Sequence, residues 1–297
     1  MQISIVADGI INENIHNTKD ALKERLGIFK SGGINCIDYT VAHKPITCSE
    51  TWVDMMADAL NESGVCVSQT HGPVVGSFSS ENGRCEWQLC DEERKRLKFA
   101  FVSANRYGCK SMVIHPHTMW PVWDNKFLKK CRSVNVEFFK MALEWAYKYD
   151  VDICLENMIT TEKLSGYCAN PVELKELHDL LNNKKIKYCV DTGHANYSGY
   201  ATDDVIEILG EDVKVLHIQD NFGNNDGHCM PPFGSIDWQK TAKALARINY
   251  SGNINFEING ERMYGLDDDA KIAYLHFAGD MGRYIERLII RYKRDIK

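Results

Sequence analysis

The chain has 297 residues, 44% of them apolar and 26% charged, and carries a net charge of −6 at pH 7. That is an ordinary soluble globular balance with ample material for a core. An acidic chain without a Lys/Arg block makes a poor non-specific nucleic-acid binder, because phosphate contacts need concentrated positive charge. The basic RYKRDIK end is short and reads as a solvated helix terminus.

The opening, MQISIVADG, goes straight into a strand at 2–8, with no basic leader and no long apolar stretch. Neither a signal peptide nor a membrane span is expected, and the setting expected is cytoplasmic. Eleven cysteines without a CxxC pair, several inside apolar runs, point the same way: reduced core thiols.

Further strands are predicted at 34–39, 65–71, 111–117, 151–157, 187–192, 213–220 and 253–259. Most are rich in Val, Ile and Cys with little alternation, which suits parallel strands buried on both faces. Helical spacing marks 18–31, 50–63, 91–107, 128–149, 171–183, 203–209, 237–248 and 268–292, the first with a Thr cap and the first three with a Gly stop. Strict β/α alternation predicts an α/β fold, a (β/α)8 TIM barrel forming one domain over 1–297, with a doubly wound open sheet as runner-up. The first strand is followed by VADGIINEN, which lacks GxGxxG, so a dinucleotide site is disfavoured. The longest irregular stretches, 72–90, 117–127 and 220–236, each follow a strand, where a barrel builds its active face.

The strand ends carry the chemistry. Strands three to eight finish at His71, His115, Glu156, Asp191 with His194 behind it, His217, and Glu257; the seventh loop adds Asp226 and His228. One His after a strand is ordinarily a hydrogen-bonded structural residue, and one carboxylate there is ordinarily a helix cap. Six strands in succession are different, because charges converging on one pocket repel unless a cation sits among them. The mixed N and O donors suit Zn, Mn, Co or Mg; two Glu, one Asp and one His favour Mn or Mg, and more His pulls toward Zn. His117, Trp120, Trp123 and Phe233 fall in the long loops as candidate pocket walls, and Arg84 and Lys126 as cations that could meet a phosphate. In VDTGHAN, Gly193 is expected to let the chain turn sharply, returning His194 to the pocket.

The motifs QTHGP (69–73), IHPH (114–117), LEN (155–157), DTGHAN (191–196), HIQDN (217–221), DGH (226–228) and the stretch FGSIDWQKTAKALARINYSGNINFEI (233–258) together resemble the xylose isomerase-like TIM barrel superfamily. That superfamily holds sugar (phosphate) isomerases and epimerases and the endonuclease IV family. The resemblance implies one divalent metal on Glu156, Asp191, His217 and Glu257, proton transfer by Glu156 and Glu257, and substrate contact by His194. The endonuclease branch implies up to three Zn on those four residues with His71, His115, His194, Asp226 and His228. Ketose epimerases of this type often carry an Arg six residues after the strand-seven His, where this chain has Gly223.

The expected function is a metal-dependent isomerase or epimerase of a sugar, sugar phosphate or related polyol, moving a proton through an enediolate between the two Glu. A metal-dependent lyase or dehydratase on a cyclic polyol is one alternative, and a zinc phosphodiesterase on abasic DNA another. The expected partner is a small carbohydrate or polyol. No membrane partner is expected and nucleic acid is disfavoured; a homo-oligomer is compatible with all of this.

Overall fold

In a computed structural model describing residues 1–11, 18–39, 49–81, 84–118, 125–161, 164–258 and 263–296, all eight expected strands form. They are β1 (Ile3–Val6), β2 (Cys36–Asp38), β3 (Cys66–His71), β4 (Ser111–Ile114), β5 (Asp152–Glu156), β6 (Ile186–Asp191), β7 (Val213–His217) and β8 (Ile254–Phe256). Each is parallel to its neighbours, in the order β7-β6-β5-β4-β3-β2-β1-β8. The remaining seam closes just beyond β7. There the Ile218 amide donates to Asn255 O at 2.8 Å and the Glu257 amide donates to Ile218 O at 3.0 Å. Closure rules out the open-sheet alternative and leaves the eight-stranded sheet without an exposed edge.

Helices α1 (Lys19–Ser31), α2 (Glu50–Ser63), α3 (Asp91–Arg106), α4 (Asn125–Tyr149), α5 (Pro171–Leu181), α6 (Thr192–Tyr197), α7 (Thr202–Leu209), α8 (Trp238–Arg247) and α9 (Asp268–Ile296) surround the strands. Their starts obey local chemistry. Thr18, Ser49 and Asn170 accept from Ala21 N, Trp52 N and Val172 N, satisfying amides that a first helical turn leaves orphaned. Gly64 ends α2 at φ 66°, where a Cβ would be strained. Leu22, Leu26 and Phe29 of α1, Phe101 of α3 and Phe139 of α4 are fully buried, each contributing roughly 1.5–3 kcal/mol.

Two departures lie in the loops. The 72–90 stretch is not irregular throughout but folds back as a hairpin, Ser77–Glu81 against Arg84–Gln88. VDTGHAN contains α6, a short extra helix directly after β6. Inside the barrel, Val113, Cys154, Cys189 and Val215 from β4 to β7 form a small apolar layer. The side of β1, β2, β3 and β8 is polar instead: Ser4, Asp38, Gln69 and Asn255 are each at most 3% exposed. The nine cysteines whose side chains are described are free thiols, and no described helix is long and apolar enough to cross a membrane.

Candidate active site

The C-terminal strand ends converge as a barrel requires. One donor atom from each of Glu156, Asp191, His217 and Glu257 lies within 4.8 Å of the others, and His71, His115 and Glu156 form another such group. Glu156 joins the two. Its Oε1 lies 2.8 Å from His217 Nδ1, and its Oε2 lies 2.9 Å from His115 Nε2 and 3.4 Å from His71 Nε2. A third group adjoins them: Asp226 Oδ2 is 3.4 Å from His194 Nε2 and 3.1 Å from His228 Nε2. Asp191 and His217, both 0% exposed, form the floor. The other members line a cavity of about 310 Å3.

The imidazoles are held in a definite way. A carbonyl can only accept, so the ring nitrogen facing it carries the proton. His71 Nδ1 donates to Gly72 O at 2.8 Å, His194 Nδ1 to Asn157 O at 2.9 Å, and His228 Nδ1 to Glu257 O at 2.9 Å. All three Nε2 atoms therefore turn toward the carboxylates. This is the outer support that metal-binding histidines ordinarily have.

Asp191 does two jobs. Its Oδ1 accepts the His194 amide at 2.7 Å, so it is the N-cap of α6, while Oδ2 points away from that bond. Glu156 Oε2, Asp191 Oδ2 and His217 Nε2 are buried with no hydrogen-bond partner among the described residues. Orphaned buried carboxylate oxygens are costly in a folded protein, and a cation between them removes the cost. The residues therefore fit a divalent metal.

Electrostatics agrees. Burial lowers His194, but Asp191, Asp226 and Glu156 outweigh it and hold the ring well above the usual imidazole range. His217 is likewise raised against burial, with Glu257 and Glu156 among the causes, and His228 is raised to about 9 against burial by Asp226. Burial pushes Asp191 up to about 7 and Asp38 to about 6, whereas His217 pulls Glu257 down to about 2 against burial. An acidic cage that attracts protons onto its histidines has the charge that suits a divalent cation in their place.

The motif residues around this centre have mechanical reasons. Gly193 is not a sharp turn of its own. It sits in α6 because an added Cβ would lie 2.1 Å from the Gln219 side chain, which receives the His228 amide and donates to Asp226. In FGSIDW, a Cβ on Gly234 would strike Asp220 Oδ1 at 2.1 Å. Asp220 in turn accepts the Ile236 amide and the Trp238 indole N–H, and Asp237 caps α8.

Among the candidate walls, His117 faces a neighbouring apolar lobe of about 340 Å3 that shares Val74 and His115 with the main cavity. Its ring is wedged against Phe138, with centroids 4.3 Å apart, and burial lowers it to about 4. Phe233 does not join either cavity: it is 61% exposed and stacks on Phe277. Trp120 and Trp123 lie outside the described residues, as do the side chains of Arg84 and Lys126. Two acidic cavity residues went unpredicted, Asp8 and Asp38. They follow or end β1 and β2, so the strand-end rule applied to the other six strands would have found them.

A closed parallel barrel with a His/carboxylate cluster at its C-terminal mouth makes this a TIM-barrel protein with a candidate metal centre. Residues 29–276 match the family described as Xylose isomerase-like TIM barrel, and the chain belongs to that family. Among curated relatives, an uncharacterized protein of Methanocaldococcus jannaschii is 27% identical over 163 residues, covering 54% of this chain and 55% of that protein. A probable endonuclease 4 of Metamycoplasma arthritidis is 30% identical over 136 residues, covering 42% of this chain and 46% of that protein. The chain thus spans about half the length of these curated relatives. A D-tagatose 3-epimerase-like protein superposes with a TM-score of 0.73 at 18% identity, covering 100% of both chains. The IOLI protein with a bound zinc atom superposes at 0.70 and 15% identity, covering 98% and 99%.

Proposed function

We propose that this protein is a divalent-metal-dependent epimerase or isomerase of a sugar, sugar phosphate or related polyol. The observation that carries the proposal is the placement of Glu156 and Glu257 around one imidazole nitrogen. Their oxygens lie 2.8 and 3.2 Å from His217 Nδ1, with Asp191 completing the group. The likeness to D-tagatose 3-epimerase-like, D-psicose 3-epimerase and L-ribulose 3-epimerase structures supports the same reading.

Glu156, Asp191, His217 and Glu257 would hold the metal. When bound, it would polarise a substrate carbonyl and adjacent hydroxyl and so acidify the C–H between them. The two Glu differ in access. Glu257 is 24% exposed at its side chain and Glu156 only 1%. Glu257, ionised and open to the cavity, would remove the proton; Glu156, itself held ionised against burial by His217 and His115, would take a proton from the neighbouring His115 ring, 2.9 Å away, and return it to the carbon. His194, His115 and His71 orient hydroxyls. A cavity of about 310 Å3 suits a single sugar, and the adjoining lobe leaves room for a substituent.

The test is incorporation of solvent deuterium into carbon-bound positions across a sugar panel incubated with metal-loaded protein. No exchange with any sugar overturns the proposal, and loss of water in the same panel selects a lyase instead.

A second reading has its own support. The groups His71/His115/Glu156 and His194/Asp226/His228 extend the four-residue set to nine, as three zinc ions would use, and one relative is a probable endonuclease 4. Three equivalents of zinc together with nicking of abasic duplex DNA would establish it. The net charge of −6 weighs against it.

A further inference from the structure

We propose that the substrate carries an uncharged apolar substituent, the size of an aromatic ring, on the end remote from its reacting carbons, and that the lobe beside the main cavity receives it. The proposal rests on the sugar reading above and names the class of substrate that the same site takes.

The two hollows differ in chemistry. The main cavity is acidic, with Asp8, Asp38, Glu156, Asp226 and Glu257 in its lining. The lobe, about 340 Å3, is walled by Pro73, Val75, Ile114, Pro116, Met158 and Ile159, and its described lining includes no carboxylate. Neither hollow has a Lys or Arg among its described lining residues. Val74 and His115 line both, so one molecule can occupy the two together. Val74 is 63% exposed, a large apolar side chain standing in water where the hollows meet. Covering it with an apolar group is favourable, because apolar surface then leaves water. A phosphate in the lobe would lose its hydration without gaining a cation, and a second sugar unit would lose more hydrogen bonds than the lobe returns.

The lobe is held open by its loops. After β3, the Gly72 amide donates to Val113 O at 2.7 Å. After β4, Asn135 accepts the His117 amide at 2.7 Å and donates to His117 O at 2.8 Å. The His117 ring is packed against Trp87 and Phe138, with centroids 5.2 and 4.3 Å away. After β5, the Met158 amide donates to Cys168 O at 3.2 Å. Three separately anchored loops around an apolar hollow make a preformed subsite, which is how small-molecule sites are ordinarily built.

The test uses the full chain loaded with Mn(II). The probes are the four D-ketohexoses, their 6-O-benzyl ethers and their 6-phosphates, with affinities read by titration calorimetry. For at least one ketohexose, the benzyl ether is expected to bind at least about tenfold more tightly than the parent sugar, and no 6-phosphate more tightly than its parent. Met158→Glu places a charge in the lobe, and Val74→Ser removes apolar surface at an exposed position. Each should reduce the benzyl preference to within about threefold. A thermal melt accompanies each variant, and should Met158→Glu not fold, Val74→Ser decides alone. Absence of a benzyl preference with every ketohexose, a preference that survives the substitutions, or tighter binding of a phosphate overturns the proposal. Deuterium exchange in the same samples judges the parent reading separately. A benzyl preference without exchange upholds the lobe and refutes proton transfer, whereas exchange without the preference refutes the lobe alone.

Discussion

Glu156 and His217, 61 residues apart in the chain, meet at 2.8 Å through Oε1 and Nδ1, both side chains almost wholly excluded from solvent. The other Glu156 oxygen faces His115 and His71. One carboxylate thus bridges two groups of nitrogen donors, and its removal should matter more than that of any peripheral member. Glu156→Gln is expected to lower metal retention at least about 100-fold, and Asp226→Asn to leave at least one equivalent bound. Metal stoichiometry after dialysis of each variant checks this, and equal losses would deny the bridging role.

Glu257→Gln should abolish exchange while leaving the fold intact. Loss of a positioned base costs about 10²–10⁴-fold. The measurement is the rate of deuterium incorporation beside a thermal melt of the same sample. Undiminished exchange would remove Glu257 from the proton-transfer role.

With metal stripped by chelator, stability should fall as pH rises from about 4 to about 9. The sign follows from three groups whose folded-state values are raised. Burial brings Asp38 from 3.8 to about 6 and Asp191 from 3.8 to about 7; Asp226, opposing burial, brings His228 from 6.5 to about 9. The folded chain holds these protons where the unfolded chain has released them, so each contribution is full below the unfolded value and lost as pH rises through the folded one. Glu257, lowered to about 2, acts oppositely below about pH 4.5, and His117, lowered by burial from 6.5 to about 4, offsets part of the fall between about pH 4 and 6.5, so the trend is clearest above that. His228 alone corresponds to at most about 3 kcal/mol, less after solvent screening of its partly open side chain. Melting temperatures at three pH values check the trend, and added metal should stabilise most at the alkaline end because it needs deprotonated ligands. A flat or rising profile would contradict the assignment.

Two glycines should respond in opposite ways to a methyl group. Gly193→Ala forces a Cβ to within 2.1 Å of Gln219, the residue that supports Asp226 and His228. A loss of about 1–3 kcal/mol is expected, together with weaker metal binding. Gly27→Ala in α1 meets nothing within 4 Å and should stabilise by up to about 1 kcal/mol. Urea denaturation of the two variants provides the comparison.

Much of the site was legible because a parallel barrel turns strand ends into a list of pocket residues. Glu156, Asp191, His217 and Glu257 each close an apolar run, and the run itself announces the strand. Asp38 escaped although it obeys the same rule, because the expected strand ran on through residue 39 whereas β2 ends at Asp38. Phe233 was misplaced for a different reason. An aromatic in an active-face loop can face the pocket or the outside, and only packing against Phe277 of α9 chose the latter. Asp191 shows how cap and candidate ligand coexist, since a carboxylate has two oxygens and α6 uses one.

The sequence by itself determined the β/α alternation, the identity of the donor atoms and the end of the barrel where they gather, because those follow from periodicity and from residue type. Tertiary structure decided which nitrogen of each histidine faces the centre, which carboxylate bridges, and why Gly193 must lack a side chain. Those properties depend on contacts between strands distant in sequence, at a scale of tenths of an ångström that no local pattern records.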